Sequence, residues 1–395
     1  MARVVGIGDW IAGQREEAGP AAVGTLEQAQ QWLRDRGAGA VETAPAAAGE
    51  LRKAGAGAVC IVDVAGDGGR SLVWLDSDHA CGWLAPPRAT VCDSANVALF
   101  AGHLAAAIAK GFVAADAAVL ATMACTHRPG SKAAEDTGID FVNDPALLPQ
   151  LSWGEQARFV DATATSSRRL NLYGIVDSAD RLEQVLAAGV RTVQLRIKRP
   201  PAPGAAWLAM LRQEIQRSVA ACRAAGAELF VNDHWELAAE LGAPAVHLGQ
   251  EDLQALGDAG RSTLLATGMA LGISSHSLWE LCRARALAPR YIACGPVWPT
   301  LTKAMPWIAQ GPGNLAWWCR MAGAPVVAIG GVLGPEQVYD AARSGADGVC
   351  IVRGLGDEPR KVVPALQAAL AGGRREFMLR GTPMTWPHPS LPVQE

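Results

Sequence analysis

No stretch of this chain stays uncharged and apolar long enough to span a bilayer, so a membrane-embedded protein is not expected. The N-terminus carries no basic region followed by a long apolar segment, so a secretory leader is not expected either. Charge of one sign is not in excess. The formal net charge is −3, too small to argue for nucleic acid or an acidic membrane as partner. The nine cysteines (Cys60, Cys81, Cys92, Cys125, Cys222, Cys282, Cys294, Cys319 and Cys350) are odd in number and lack metal-ligand spacing. They read mostly as buried free thiols of a reducing compartment, and a cytoplasmic location is the expectation. A Walker loop, a nucleophile elbow and a Ser–His–Asp arrangement are also missing, so a covalent enzyme intermediate is not expected.

What is present is a long, half-hydrophobic chain. Its 395 residues suffice for two domains with sizeable cores. Residues 1–155 are rich in Ala and Gly, with strand-like runs at 4–8, 58–64 and 71–76 and helical patterns at 95–110 and 114–124. A polar stretch, DATATSSRR at 161–169, reads as part of a linker over 156–171. From residue 172 the pattern becomes strict strand–helix alternation. Eight apolar runs begin at 172, 192, 228, 245, 270, 291, 326 and 348. Continuous apolar strands imply burial on both faces and hence a parallel sheet. Eight such units over residues 172–372 imply an α/β fold with a closed (β/α)8 TIM barrel, whose active site lies at the C-terminal ends of its strands. Residues 373–395, with several prolines, read as an irregular tail.

Polar residues recur where the barrel's apolar runs end: VQLRIK (193–198), FVND (230–233), VHLGQED (246–252), LGISSH (271–276), GPVWPTLTK (295–303) and VAIGG (327–331). Asp233 and Asp252 end consecutive runs. Two carboxylates at one rim suit a hard divalent cation such as Mg2+, which takes a few carboxylate oxygens and completes its shell with substrate phosphate. Each alone would more often be a helix cap. Arg196 and Lys198 alternate with apolar residues, so both point into the barrel mouth, where an anion is the natural partner. Gln194 shares their parity and suits a polar ring or a phosphate. The alternative, a solvated surface pair, fits poorly with so apolar a strand. Thr300, Thr302 and Lys303 supply the hydroxyls and ammonium of an anion-binding loop, though an ordinary turn would look similar. Gly330 and Gly331 end the seventh run, where phosphate sites often lie in such barrels, but a glycine pair alone is weak. Ser274 alone would more often cap a helix, and His234, His247 and His276 read first as structural. The inventory fits departure of a diphosphate from one of two phosphorylated small molecules, stabilised by Mg2+, Arg and Lys.

These motifs, in this order, resemble thiamine phosphate synthase over about 172–370. The resemblance implies transfer of a hydroxymethylpyrimidine group from its diphosphate to thiazole phosphate, by a dissociative route in which diphosphate leaves first. It implies that Gln194, Arg196, Lys198 and Asn232 hold the pyrimidine diphosphate and that Asp233 and Asp252 bind Mg2+. Ser274 and Lys303 would contact the pyrimidine substrate and its diphosphate, so Lys198, Ser274 and Lys303 are the expected catalytic groups. Thr300, Thr302, Gly331 and the Val352–Arg353 backbone would hold the thiazole phosphate. The family often has Ser where this chain has Arg353. Two alternatives remain: a thiazole tautomerase sharing the barrel, disfavoured by Lys198, Asp233, Asp252 and Lys303, and a non-catalytic sensor of thiamine intermediates. The expected partners are small-molecule substrates, without nucleic acid or membrane, and a homo-oligomer is possible.

The segment at 82–111 is similar to the C-terminal part of hydroxymethylpyrimidine phosphate kinase, of the ribokinase-like class. That kinase's HGTGC stretch falls on Ser94, Ala95, Asn96, Val97 and Ala98, so both glycines and the cysteine are absent. Glycines there let the backbone approach the transferred phosphate. The region therefore reads as a partial, degenerate kinase-like α/β domain with a structural or regulatory role.

Overall fold

The computed structural model describes residues 3–10, 19–66, 69–87, 94–127, 140–159, 169–300, 306–383 and 385–392, without the side chains of Ser94 and Ala95. The linker reading at 161–169 and Cys92 lie almost or wholly outside these residues. The chain divides into two compact units. One comprises Met1–Asp161, Ser277–Ala286 and His388–Glu395; the other comprises Ala162–His276 and Leu287–Pro387.

The first unit is built on a six-stranded mixed sheet. In chain order its strands are β1 (Val4–Gly6), β2 (Ala21–Thr25), β3 (Ala58–Ala65), β4 (Ser71–Ser77), β5 (Cys81–Ala85) and β6 (Gln150–Leu151). They lie side by side in that order, parallel from β1 to β3 and antiparallel from β3 to β6. The strands β2, β5 and β6 had no counterpart in the sequence reading. They are short, two to five residues each, which leaves little periodicity to find. Helix Leu26–Arg34 starts with a capping box between Thr25 and Gln28, and helix Ala44–Lys53 starts at Thr43 with Pro45 in its first turn. Between these helices and the sheet sits a core containing Ile7, Leu51, Ile61, Trp74 and Trp83. Trp10 and Trp32 stack at 4.7 Å, and Trp32 Nε1 donates to the Trp10 carbonyl at 2.8 Å, so the indole is buried without losing its hydrogen bond. Helix Ser94–Ala109 takes in the positions compared above with the kinase motif. In helix Ala114–Thr126 the carboxyl of Asp116 is fully buried. It accepts from the Trp279 backbone N–H at 2.9 Å and the Ser390 hydroxyl at 2.7 Å.

The second unit contains a closed barrel of eight parallel strands. These are β7 (Asn171–Val176), β8 (Thr192–Leu195), β9 (Glu228–Asn232), β10 (Ala245–Leu248), β11 (Ala270–Ser275), β12 (Tyr291–Cys294), β13 (Val326–Ala328) and β14 (Gly348–Ile351). The barrel closes where Gly348 of β14 pairs with Asn171 of β7. Its interior is filled by Tyr173, Ile175, Phe230, Ala245, Tyr291, Ala293, Val327 and Cys350, alternate residues of their strands. Opposite the site described below, Arg290 and Glu228 form a two-bond pair at 2.9 and 3.1 Å.

Most strands stop before the apolar runs do. β8 ends at Leu195, β9 at Asn232 and β13 at Ala328, so Arg196, Lys198, Asp233 and Gly331 lie past the last paired residue. The chain after Gly372 departs from the expected irregular tail. One helix runs from Pro359 to Arg380, and Gly373 lies inside it because a Cβ there would sit 2.2 Å from the Tyr339 carbonyl oxygen. Glycine at this point marks close helix packing and not a helix end. The eight described cysteines form no disulfide. Among the described residues no helix is long and apolar enough to cross a membrane.

Candidate active site

Arg196 and Lys198, just beyond β8, line a cavity of about 670 Å3 at the C-terminal mouth of the barrel. Val352 and Arg353, just beyond β14, line it too, together with Asp177, Arg181 and Asp357. The cavity is thus shared by the ends of β7, β8 and β14, three neighbouring strands. Its volume suits a small-molecule substrate. Arg181 is committed to the chain, donating to the carbonyls of Gly356 and Asp357 and to Gln184. Arg196, Lys198 and Arg353 make no ion pair with a described residue. Three uncommitted cations on one cavity wall are an anion-binding arrangement.

Gln194 points the other way from bulk water. It is 2% exposed, and its Nε2 donates to the Tyr173 hydroxyl at 3.1 Å within the barrel. Asn232 is buried at the end of β9, opposite His247 of β10.

Asp233 follows Asn232 with φ of +63°, the left-handed region that few non-glycine residues occupy, though Asp is among those that tolerate it. Its N–H donates to the His247 carbonyl at 3.1 Å, which pins it beside the end of β10. Asp252 lies in the first turn of helix Gln250–Ala255, where Oδ2 accepts from the Gly249 N–H at 3.1 Å. One of its oxygens therefore serves as a cap, while no described donor is recorded on the other. The two carboxylates stand at the same end of neighbouring strands. That donor set fits Mg2+, which is held by one or two protein carboxylates and otherwise by substrate phosphates and water. A self-contained protein cage is not the pattern here, since no group of three or more His, Cys, Asp or Glu gathers among the described residues.

Gly330 and Gly331 have φ of +94° and +73°. A Cβ on Gly330 would lie 2.7 Å from Pro296 Cα, and one on Gly331 would lie 2.5 Å from Trp298 Cβ. The glycine pair is thus required by the close passage of the segment after β12, whose Val297 and Trp298 N–H groups bond to the Ile329 and Gly330 carbonyls. Thr300 continues this segment. Thr302 and Lys303 lie outside the described residues. Beyond them Trp307 stacks on His276 at 5.2 Å, nearly parallel. His234 is bound to the Ile197 carbonyl through Nε2 at 2.8 Å.

Sequence reasoning missed the barrel's polar interior. Of the chain's three tyrosines, Tyr173 and Tyr291 are inside the barrel, with hydroxyl oxygens 2.8 Å apart. Tyr291 also bonds to His247 Nδ1 at 2.7 Å, and His247 Nε2 bonds to Ser274 Oγ at 2.9 Å. Burial, aided by Arg196 and His276, lowers the His247 pKa to about 3, so the imidazole is neutral at any ordinary pH. Burial likewise raises both tyrosines well above their usual range. The available signal was parity: Tyr173, His247, Ser274 and Tyr291 all fall on inward-facing strand positions. Gly272, adjacent to Tyr291 on β11, makes room for the ring.

The model of a family described as thiamine monophosphate synthase matches residues 172–355. A thiamine-phosphate synthase of Rhizobium etli is 45% identical over 188 residues, 47% of this chain and 87% of that protein. One from Neisseria meningitidis is 41% identical over 206 residues, covering 51% of this chain and 96% of that protein. One from Photorhabdus laumondii is 41% identical over 195 residues, covering 49% and 85%. Each match takes in about half of this chain.

Proposed function

The chain belongs to the thiamine monophosphate synthase family, and on that premise we propose that the mouth of its barrel makes thiamine phosphate from a pyrimidine diphosphate and a thiazole phosphate. The observation that carries the reading is the set of three cations, Arg196, Lys198 and Arg353, on the wall of one cavity. Two phosphorylated substrates need such a set, one part for the leaving diphosphate and one for the phosphate that stays.

Arg196 and Lys198 hold the diphosphate and offset the charge that grows on it as the bond to the methylene carbon breaks. The electron pair of that bond leaves on the diphosphate. The lone pair of the thiazole nitrogen then forms the new carbon–nitrogen bond. Gln194, Asn232 and Ser274 orient the pyrimidine. Gly331, Thr300, Thr302 and the turn at Val352–Arg353 hold the thiazole phosphate, and Lys303 contacts the pyrimidine diphosphate. Asp233 and Asp252 would hold Mg2+, which when bound would supply further positive charge to the diphosphate oxygens. The protein's share of the catalysis is thus position and charge, without a nucleophile of its own.

In this reading the unit built on β1–β6 has no kinase activity, because Ser94–Ala98 lie at the start of a helix without a glycine among them.

Lys198→Ala and Arg353→Ala separate the two anion sites. Lys198→Ala is expected to raise KM for the pyrimidine diphosphate at least about tenfold, the value of one charge-assisted hydrogen bond. Arg353→Ala should raise KM chiefly for the thiazole phosphate. Unchanged kinetics in both variants would refute the assignment of this cavity.

A further inference from the structure

Five polar groups cross the barrel interior in one unbroken line, and their donors can be counted. Gln194 Nε2 is an amide nitrogen and only donates; the Tyr173 oxygen accepts from it at 3.1 Å. Tyr173 has one proton left, and the Tyr291 oxygen at 2.8 Å is the recorded acceptor for it. Tyr291 then gives its own proton to His247 Nδ1 at 2.7 Å. A neutral imidazole has one donor and one acceptor, so Nε2 carries the hydrogen and donates to Ser274 Oγ at 2.9 Å. Ser274 then accepts from His247 through one of its two lone pairs, and its own proton is unspent. In the opposite direction Nδ1 would donate to Tyr291, Tyr291 to Tyr173, and the Tyr173 proton would meet the Gln194 amino group. A buried donor facing a donor is costly, so one direction is selected.

We propose that Gln194, Tyr173, Tyr291 and His247 act as a positioning chain that fixes His247 as the Nε2–H tautomer and thereby makes Ser274 a hydrogen-bond donor toward the pyrimidine substrate. The packing supports a fixed geometry. Tyr291 is stacked with His247 at 5.6 Å and meets Phe230 and Tyr173 edge-on at 5.0 and 5.6 Å. On this view the Ser274 proton, which is not needed by His247, is directed to an acceptor atom on the pyrimidine ring. The inference rests on the proposed reaction for its substrate, but the tautomer does not.

The test uses the full chain and two readouts. Tyr291→Phe removes one hydroxyl and keeps the ring. Nitrogen-15 NMR of the histidine side chains, with His247 assigned by the signal lost in His247→Gln, is expected to show the Nε2–H tautomer in the wild type and Nδ1–H or a mixture in Tyr291→Phe. An Nδ1–H wild type overturns the proposal, whatever the enzyme makes. In steady-state assays Tyr291→Phe should raise KM for the pyrimidine diphosphate about tenfold while the thiazole phosphate KM stays within about twofold. Combined with Ser274→Ala it should cost nothing more than Ser274→Ala alone, since both break one line. Additive losses, or equal changes in both KM values, would mean that the tyrosine acts by packing alone. A wild type with the Nε2–H tautomer and no thiamine phosphate formed would overturn the proposed reaction and the substrate half of this inference, leaving the tautomer assignment standing.

Discussion

Replacing Gly272 by alanine should damage both the barrel core and pyrimidine recognition. Gly272 sits on β11 with its Cα facing the Tyr291 ring. A Cβ there would lie 2.4 Å from Tyr291 Cζ, 2.5 Å from Cε1 and 2.6 Å from the hydroxyl oxygen. Ordinary contact needs roughly 3.4 Å or more, so the ring must retreat by about 1 Å. It has little room, being enclosed by Phe230, Tyr173 and His247. Alanine in a strand would by itself stabilise by about 0.5–1 kcal/mol through the unfolded chain. Overpacking costs about 1–3 kcal/mol, and a 1 Å shift takes the 2.7 and 2.8 Å bonds of Tyr291 beyond hydrogen-bonding reach at about 1 kcal/mol each. The unfavourable terms win, and a net loss of about 2–4 kcal/mol is expected. Urea unfolding gives the stability change, and the KM for pyrimidine diphosphate of the remaining folded protein should rise. A variant with the wild-type midpoint and wild-type KM would refute the packing argument.

Two further predictions concern charged groups away from the mouth. Glu228→Ala should destabilise by about 3 kcal/mol or more in urea unfolding, because Arg290, whose side chain is only 6% exposed, would keep a buried charge without its carboxylate. Asp116 has its pKa raised to about 6 by burial, against the lowering effect of its bonds from Trp279 and Ser390. Folded protein then holds a proton between about pH 4 and pH 6 that the unfolded chain has released, so this group makes stability fall as pH rises through that window and level off above it. Asp116→Asn removes the dependence, and its urea midpoint relative to wild type should be higher at pH 7.5 than at pH 4.5, by about 2 kcal/mol in stability.

The barrel was legible because its signal is local and repeated. Eight apolar runs at regular intervals, each closed by a polar group, specify strand, order and active end together, and the observed β7–β14 fall on those runs. Arg196 and Lys198 were readable for the same reason, as charges at the end of an apolar strand, whereas Arg353 entered only through the family resemblance and as a backbone contact. The convergence of β8 and β14 on one cavity was not, because it depends on closure between residues 348 and 171. Nor was the interior chain of Tyr173, Tyr291, His247 and Ser274, which joins strands far apart in sequence. Of the two readings of Asp252, the structure shows the helix cap, with one oxygen accepting from the Gly249 N–H. The first unit was less legible, since Ala- and Gly-rich strands such as β2 carry little alternation, and Gly372–Gly373 misled by composition within the helix Pro359–Arg380.

The most direct test of the central claim is thiamine phosphate formation from the pyrimidine diphosphate and the thiazole phosphate, with Mg2+ and after chelation, for wild type and Asp233→Ala. The account predicts turnover by the wild type that needs the metal and falls at least about a hundredfold in the variant, as expected when an interaction that steadies the departing diphosphate is lost. A folded wild type that forms no thiamine phosphate with the metal present would contradict it, and metal-independent turnover that survives in Asp233→Ala would remove the metal site from it.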